Sequence, residues 1–345
     1  MKYYRCLSVI LFSSLLTATA FSQSGQSDAF LWTAGGGMQD LGVVTGWQDS
    51  GGYGINQAGV IVGGLSKAQG QGYVETSFGW REGVGMRYLK GLSFKNSSAI
   101  AVNDLVQVVG GSLTASGDVH AFLWTRDGGA QDLGTLGGQT STAMAINNRG
   151  QVVGTSQTAT GINHAFLWTQ GTGIQDLMTL THGACTGCES FAEAINDSGV
   201  IVGKLGHHEG ARDYAFVWKN GYVKSLGDLG GVGINGGSEA TGINKSGQVV
   251  GYASVPDGSP HAFLWTEAGG MQDLGTLPGG SGSFANAINS SGQVVGWSYV
   301  PSGFVHAFLW DPVNGMQDLG TLGGPGSQAA AINDSGQVTG VADLP

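Results

Sequence analysis

Residues 261–296 read HAFLWTEAGGMQDLGTLPGGSGSFANAINSSGQVVG, and this stretch contains four short apolar segments separated by Gly, Asn, Asp and Ser. Short segments rich in Val, Ile, Phe and Trp between such residues are typical of β-strands joined by turns. Similar stretches recur, each with a Trp closing its first segment, at Trp32, Trp80, Trp124, Trp168, Trp218, Trp265 and Trp310. The intervals of 48, 44, 44, 50, 47 and 45 residues predict an array of equivalent supersecondary units.

Four short strands per repeat are typical of one blade of a β-propeller. We name the predicted strands A (the AIN segment), B (QVVG), C (AFLW) and D (MQDLG). The sequence starts its first repeat at strand C and ends its last at strand B, so the two ends supply complementary halves of one blade. We therefore predict an all-β, seven-bladed β-propeller with four antiparallel strands per blade, closed by a blade shared between the N- and C-terminal segments. A stacked β-solenoid is the alternative, but it needs polar capping repeats that we do not find.

The A–B turns have a recurring Ile-Asn-x-x-Gly sequence. Asn at the first position of a type I turn, followed three residues later by Gly in a left-handed conformation, closes a hairpin. In the second repeat Val106 replaces this Gly. Some of these segments also spell glycosylation sequons, and we interpret all of them as turns: Asn56, Asn147, Asn196, Asn244, Asn289 and Asn333.

The composition predicts an exported protein. Lys2 and Arg5, the apolar stretch from Leu7 to Leu16 and the small residues Ala18 to Ala20 are typical of a secretory signal peptide spanning residues 1–20. Residues 21–345 then form a single propeller domain. Removal of Lys2 and Arg5 with the signal peptide leaves 12 of the 14 basic residues and all 24 acidic residues, so the net charge is −12. No basic cluster is present, which argues against nucleic-acid binding, and no apolar stretch is long enough to span a membrane.

These segments also carry a family resemblance. HAFLW followed by DLGTLGG and AIN..GQVVG resembles the HAF-repeat family of bacterial extracellular repeat proteins, over nearly the whole mature chain. The triplet weakens to Asp28-Ala29-Phe30 and Tyr214-Ala215-Phe216, and it is absent at Ser77-Phe78-Gly79. The full triplet begins at His120, His164, His261 and His306. The resemblance implies secretion and a propeller-like repeat, and it supplies no activity or catalytic residues.

The repeated polar residues are expected to be structural. The four HAF histidines could suggest a metal ring, but they occupy one repeat position, where an imidazole would bond a neighbouring blade or loop. Carboxylates recur before Leu in strand D, where we expect them to bond between strands or blades, at Asp40, Asp132, Asp176, Asp273 and Asp318. We predict no cofactor and no metal site.

The non-repeating loops are the candidate ligand site. The B–C and D–A connections share one face of a propeller and vary in length and composition, and such loops commonly carry binding groups. Aromatic residues on this face could stack on sugars or anchor a protein, or they could simply pack on blade edges. They are Trp47, Tyr73, Trp297, Tyr299 and Phe304.

Two further loops form a distinctive patch on this face. Cys185 and Cys188 lie in one D–A loop, and the following B–C loop carries His207, His208 and Arg212. A disulfide between the cysteines is expected in an exported protein. Zinc ligation by both thiolates and an imidazole, and a redox-active dithiol, are the alternatives.

Two function classes are compatible with these features. The first is a non-catalytic binding or adhesion module for a glycan or a surface protein, acting as a monomer in the periplasm or medium. The second is an extracellular polysaccharide hydrolase or lyase, because propellers host both. An enzyme would need non-repeating carboxylates facing the central channel, and among the glutamates only Glu193 is placed in an inner strand. The sequence therefore favours the binding module.

Overall fold

The computed structural model describes residues 25–345 except residues 71, 93–95, 182–186, 207–211 and 232–236. These residues form 28 β-strands and no helix, arranged as seven four-stranded antiparallel sheets around a central channel. The prediction of a seven-bladed propeller with four antiparallel strands per blade is therefore confirmed. The predicted signal peptide lies outside the described residues. The described part of the chain contains no helix that could cross a membrane.

The strands follow the predicted order A, B, C, D from the channel outward. Blade 1 contains β3 (Asp49–Ile55), β4 (Ile61–Gln69), β5 (Gly72–Arg81) and β6 (Gly85–Leu89). Blade 2 contains β7 (Ser97–Val102), β8 (Val108–Leu113), β9 (Val119–Thr125) and β10 (Gly129–Asp132). Blade 3 contains β11 (Gly137–Ile146), β12 (Val152–Thr158), β13 (Asn163–Thr169) and β14 (Gly173–Asp176). Blades 4 and 5 contain β15 (Glu189–Ile195), β16 (Ile201–Gly206), β17 (Tyr214–Lys219) and β18 (Tyr222–Ser225); and β19 (Ser238–Ile243), β20 (Val249–Ser254), β21 (Pro260–Thr266) and β22 (Gly270–Asp273).

Blade 6 contains β23 (Ser283–Ile288), β24 (Val294–Tyr299), β25 (Val305–Asp311) and β26 (Gly315–Asp318). Blade 7 draws its strands from two parts of the sequence: β27 (Ser327–Ile332), β28 (Val338–Asp343), β1 (Ser27–Thr33) and β2 (Gly37–Asp40). Strands β1 and β28 pair in antiparallel register from Ser27 opposite Asp343 to Trp32 opposite Val338.

The hydrophobic core is divided among the interfaces between neighbouring blades. Each apolar cluster combines strands of two blades, as where Val250 and Leu264 of blade 5 meet Phe308 and Trp310 of blade 6. The repeated Trp residues all belong to such clusters or pack against them, so they contribute to the packing between blades. The Phe of each repeat is at most 1% exposed: Phe30, Phe78, Phe122, Phe166, Phe216, Phe263 and Phe308. Burying one such ring contributes roughly 1.5–3 kcal/mol.

A ring of asparagine side chains joins the inner ends of the blades. The side-chain amide of each turn Asn donates to the backbone carbonyl of the Asn in the next blade, at 3.0–3.2 Å, and Asn333 donates to Asn56. The seventh member is Asn103, which the Ile-Asn-x-x-Gly pattern misses because Val102 and Val106 replace its Ile and its Gly. All seven are 1–6% exposed, which supports the turn interpretation over glycosylation. The turn sequence therefore also connects the blades.

The Asn103 turn is strained at Val106. The φ of Val106 is +58°, whereas the equivalent Gly residues of the other six turns have φ of +71° to +81°. A left-handed backbone is costly for a β-branched residue. We expect Val106→Gly to raise the free energy of unfolding by about 1 kcal/mol, measured by urea denaturation. Val313→Gly, at an 87% exposed position, is the control and should give no gain. A loss of stability in Val106→Gly would contradict this account.

Candidate ligand site on the variable-loop face

The face that carries the A–B turns has hydrogen bonds between successive blades, made by the residues that follow the turn Asn. A cavity of about 180 Å³ lies at the mouth of the channel and is lined by the Asn ring and the residues that follow each Asn. Lys245 forms an ion pair with Asp334 at 3.4 Å, and Asn148 donates to Asp104 and Asp197 at 2.9 and 3.3 Å. Because these groups satisfy one another, we assign this face a structural role.

Toward the opposite, variable-loop face, each strand A carries one buried serine, and these serines together form a ring. Each Ser hydroxyl accepts a hydrogen bond at 2.8–3.1 Å from a backbone N–H in strand C of the preceding blade. The serines are Ser50, Ser97, Ser141, Ser190, Ser238, Ser283 and Ser327, and none is more than 3% exposed. These contacts fix where the next residue of every strand A lies.

The residue after each serine, together with its partner in strand B, differs sharply between the two halves of the ring. In blades 1 to 3 these pairs are small: Gly51 with Gly64, Ser98 with Gly111, and Thr142 with Thr155. In blades 4 to 6 they are large: Phe191 with Lys204, Glu239 with Tyr252, and Phe284 with Trp297. We call these six large residues of blades 4 to 6, together with Tyr299 at the end of β24, the polar–aromatic row.

The polar part of the row is built around Glu239, which is 1% exposed. Its Oε2 lies 3.1 Å from the Lys204 ammonium and accepts a hydrogen bond from the Tyr252 hydroxyl at 2.8 Å. Asp213 lies 3.7 Å from the same ammonium. Glu239 Oε1 is buried and has no hydrogen-bond partner among the described residues. The row therefore contains an acceptor that only an additional donor can satisfy.

Two groups of this cluster, Lys204 and Tyr252, have raised pKa values. Burial alone would lower the pKa of Lys204, but Glu239 and Asp213 outweigh it and raise the pKa above its ordinary value. Burial, followed by the charge of Glu239, raises the pKa of Tyr252. Both groups keep their protons at neutral pH, so neither is suited to act there as a general base.

The aromatic part of the row is continuous with the polar part. The rings of Tyr252 and Phe284 lie 4.8 Å apart, and those of Phe284 and Trp297 stack at 4.1 Å with an angle of 17°. Tyr299 meets Trp297 edge-on at 5.7 Å. These four rings are neither fully buried nor fully exposed. The row thus joins hydrogen-bonding groups to an aromatic surface, a combination typical of ligand sites.

Only part of the predicted site belongs to this row. Trp297 and Tyr299 do, although both lie in β24 and not in a loop. Arg212 precedes Asp213 and donates to the Gly231 carbonyl at 3.0 Å, with Asp228 at 3.4 Å. His207, His208 and Cys185 lie outside the described residues. Cys188 is disulfide-bonded, and its pairing with Cys185 stays a prediction.

The other predicted aromatic residues lie elsewhere. Trp47 donates to the Tyr88 hydroxyl at 3.0 Å in blade 1, under the Lys67 ammonium, which is 4.8 Å from its ring. Tyr73 is 69% exposed on the β4–β5 hairpin, which has nine residue pairs where the other B–C hairpins have five or six. Phe304 is 48% exposed in the B–C turn of blade 6. Blade 7 separates blade 1 from blade 6, so Trp47 and Tyr73 do not join Trp297.

A second polar cluster, in blades 1 and 2, was not anticipated from the sequence. Gly51 and Gly64 leave room that the side chains of Tyr53 and Glu75 fill. Burial raises the pKa of Glu75 to about 7, against a hydrogen bond from Ser98 that lowers it. The charge of Glu75 adds to the burial that raises the pKa of Tyr53. Tyr53 and Glu75 therefore occupy the space that the two glycines leave in blade 1.

The HAF histidines are structural. Nδ1 of each bonds the strand D carboxylate of the same blade, at 2.7–2.9 Å. The expectation of a contact to a neighbouring blade or loop was wrong in this respect, because the two strands are adjacent in one sheet and bring the groups together directly. Among the described residues no group of three potential metal ligands occurs.

Asp28 replaces the HAF histidine in blade 7. It faces Asp40 and Asp49 and is 5% exposed, and burial together with these carboxylates raises its pKa to about 7. Ser50 also contacts it, at 3.5 Å. In the pair Asp28–Asp40, Asp28 therefore holds a proton up to about pH 7, where blades 2, 3, 5 and 6 have an imidazole.

Replacing Asp28 with Asn should change how stability depends on pH. The folded pKa of about 7 exceeds the ordinary 3.8, so the folded state keeps a proton that the unfolded chain loses between about pH 4 and 7. The free energy of unfolding therefore falls as pH rises through this window. Asp28→Asn should remove roughly 1–3 kcal/mol of that fall, measured by urea denaturation from pH 4 to 8. A residual slope should remain, because the raised pKa of Glu75 acts in the same direction.

The control for this experiment is Asp127→Asn, in an exposed C–D turn. It should leave the pH dependence unchanged. An unaltered slope in Asp28→Asn would show that the acid pair does not hold the proton.

Comparison with known proteins shows the fold alone. No family model matches the chain, and no curated protein matches it. Among solved structures, the β-propeller domain of the Trilobed protease from Pyrococcus furiosus is 9% identical, with a TM-score of 0.55, covering 82% of this chain and 88% of that one. A putative TolB from Agrobacterium tumefaciens is 12% identical with a TM-score of 0.51, covering 93% and 99%. A puromycin-hydrolyzing peptidase from Mycobacterium tuberculosis is 11% identical with a TM-score of 0.52, covering 86% of this chain and 53% of that one.

Proposed function

We propose that this propeller is a non-catalytic binding module that takes a glycan on the polar–aromatic row of blades 4 to 6. The observation that carries the proposal is the asymmetry of the ring. Of the seven equivalent strand A–strand B pairs, those of blades 1 to 3 are small residues and those of blades 4 to 6 are large aromatic or charged residues, while blade 7 has Gln328 with Val341. Repeat packing does not require this difference, since both halves build the same blade.

The chemistry of the row fits a polyhydroxylated ligand. Aromatic rings offer apolar faces to sugar rings, and the Glu239 carboxylate offers an unsatisfied acceptor to a donor. The predicted export agrees with the same function: a signal peptide is expected from the sequence, and the disulfide at Cys188 fits an oxidising compartment.

A glycan-array screen tests the proposal, using the wild type, Trp297→Ala and the control Tyr222→Ala. Tyr222 is 66% exposed in the outer strand β18, away from the row. We expect the wild type to bind a glycan, Trp297→Ala to lose at least about tenfold in affinity, and Tyr222→Ala to bind like the wild type. A folded Trp297→Ala protein with wild-type affinity, or a wild type that binds no glycan, would refute it.

A polysaccharide hydrolase or lyase is the second candidate. Its support is Glu193, which is 7% exposed in the inner strand β15 and acts electrostatically on Lys204. Incubation with the bound glycan and measurement of new reducing ends or unsaturated products would distinguish the two. Turnover that is lost in Glu193→Gln would favour the enzyme.

A further inference from the structure

The polar part of the row carries more negative than positive charge. The ammonium of Lys204 lies 3.1 Å from Glu239 and 3.7 Å from Asp213, and Glu193 acts on it as a third carboxylate. The neighbouring Arg212 lies against Asp228 and the Gly231 carbonyl. Among the described residues, the Lys204 ammonium therefore lies against the two carboxylates of Glu239 and Asp213, with the field of Glu193 added to theirs, and this local field favours a cationic ligand.

One of the two carboxylate oxygens of Glu239 lacks a hydrogen-bond donor. Oε2 has two partners, the Lys204 ammonium and the Tyr252 hydroxyl, whereas the buried Oε1 has none within the part of the chain that the structure describes. Leaving a buried charged acceptor unsatisfied is costly. A ligand that brings both a hydrogen-bond donor and a positive charge would satisfy this oxygen and balance the excess negative charge.

The aromatic groups next to Glu239 fit such a ligand. Tyr252 bonds the carboxylate with its hydroxyl and contacts Phe284 with its ring, and Phe284 stacks on Trp297. Aromatic faces attract cations as well as sugar rings. An anionic sugar such as a uronate would be repelled here, and a neutral sugar would leave the charge unbalanced.

We propose that the ligand of the row is an amino sugar with a free, protonated amine. Glu239 and Asp213 bind the ammonium group, and the aromatic residues contact the sugar ring. Around Glu239, the Asp213 side chain is 47% exposed and the Lys204 side chain is 14% exposed, so the amine would enter on the side of Asp213. This inference rests on the proposed glycan-binding function and specifies the ligand class.

Isothermal titration calorimetry with three oligosaccharides of equal length tests it: a glucosamine tetramer, an N-acetylglucosamine tetramer and a neutral glucose tetramer. We expect the glucosamine tetramer to bind at least tenfold tighter than either of the others, with a preference that shrinks as salt is added. N-acetylation removes the charge and keeps the ring, so the comparison isolates the amine.

Three variants assign the preference to the row. Glu239→Gln should reduce it to less than threefold, and Glu267→Gln, an 85% exposed carboxylate paired with Lys224, is the matched control that should keep it. Asp213 lies at the exposed rim of the row, so the variant Asp213→Asn keeps the buried Lys204–Glu239 pair. It therefore tests the proposal even if Glu239→Gln does not fold. It should reduce the preference by at least threefold.

The outcomes separate the two proposals. Binding of the neutral or acetylated tetramer as tight as that of the glucosamine tetramer would overturn the amine specificity and leave glycan binding intact. A preference unchanged in folded Glu239→Gln, or in Asp213→Asn, would also overturn it. Absence of binding by all three, together with no binding on the glycan array, would refute the glycan-binding function itself.

Discussion

Replacing Gly203 with Ala is expected to destabilise the propeller by several kcal/mol or to prevent folding. Gly203 lies in strand B, at the position of the Gly that ends Val-Val-Gly in other repeats. A Cβ at this position would overlap the backbone carbonyl of Phe191 in strand A. A backbone atom in a paired strand has little room to move. The same overlap occurs at Gly63, Gly110, Gly154, Gly251, Gly296 and Gly340.

Thermal unfolding followed by circular dichroism checks this prediction, with Gly171→Ala as the matched control. A Cβ at Gly171 would meet nothing within 4 Å, and its φ is not positive. The control should lie within about 0.5 kcal/mol of the wild type. Equal stability of the two variants would mean that strands A and B are not as close as described.

Replacing Asn147 with Ala is expected to cost roughly 3–5 kcal/mol, because it removes one member of the Asn ring. Its Oδ1 accepts from the N–H groups of Arg149 and Gln151, both at 3.0 Å. Its Nδ2 donates to Gln151 Oε1 at 2.7 Å and to the Asn196 carbonyl at 3.0 Å. The truncation therefore leaves several buried groups without partners.

Urea denaturation measures this loss, and two further variants interpret it. Asn147→Asp keeps the acceptor and loses the donors, so it should also be destabilised. Asn314→Ala, in an exposed C–D turn where the side chain bonds only Asp311 among the described contacts, should cost less than about 1 kcal/mol. A small loss in Asn147→Ala would show that the ring contributes little to joining the blades.

The architecture could be predicted because it repeats. The Trp spacing counts the blades, and alternating apolar segments and turn residues define four strands in each. The turn role of the repeated Asn could also be predicted from the sequence. Its hydrogen bond to the next blade could not, because a turn pattern describes only residues that are close in sequence. The inter-blade serines were missed although a Ser stands six residues before every turn Asn, as Ser238 does before Asn244.

The polar–aromatic row could not be predicted in the same way. Lys204, Glu239 and Trp297 come from three repeats, and nothing in their local sequences relates them. Only strand register and the stacking of blades place them side by side. Trp297 and Tyr299 were found because they break the repeat pattern, and comparing equivalent positions across repeats would have found Glu239 and Tyr252 as well.

The central claim is that the ligand site lies on blades 4 to 6 at the variable-loop face. Hydrogen–deuterium exchange of the protein with and without its bound glycan tests it most directly. We expect added protection in β15–β16, β19–β20 and β23–β24, and none in β3–β4, β7–β8 or the A–B turns. Protection centred on the A–B turns, or on blades 1 to 3, would contradict the account.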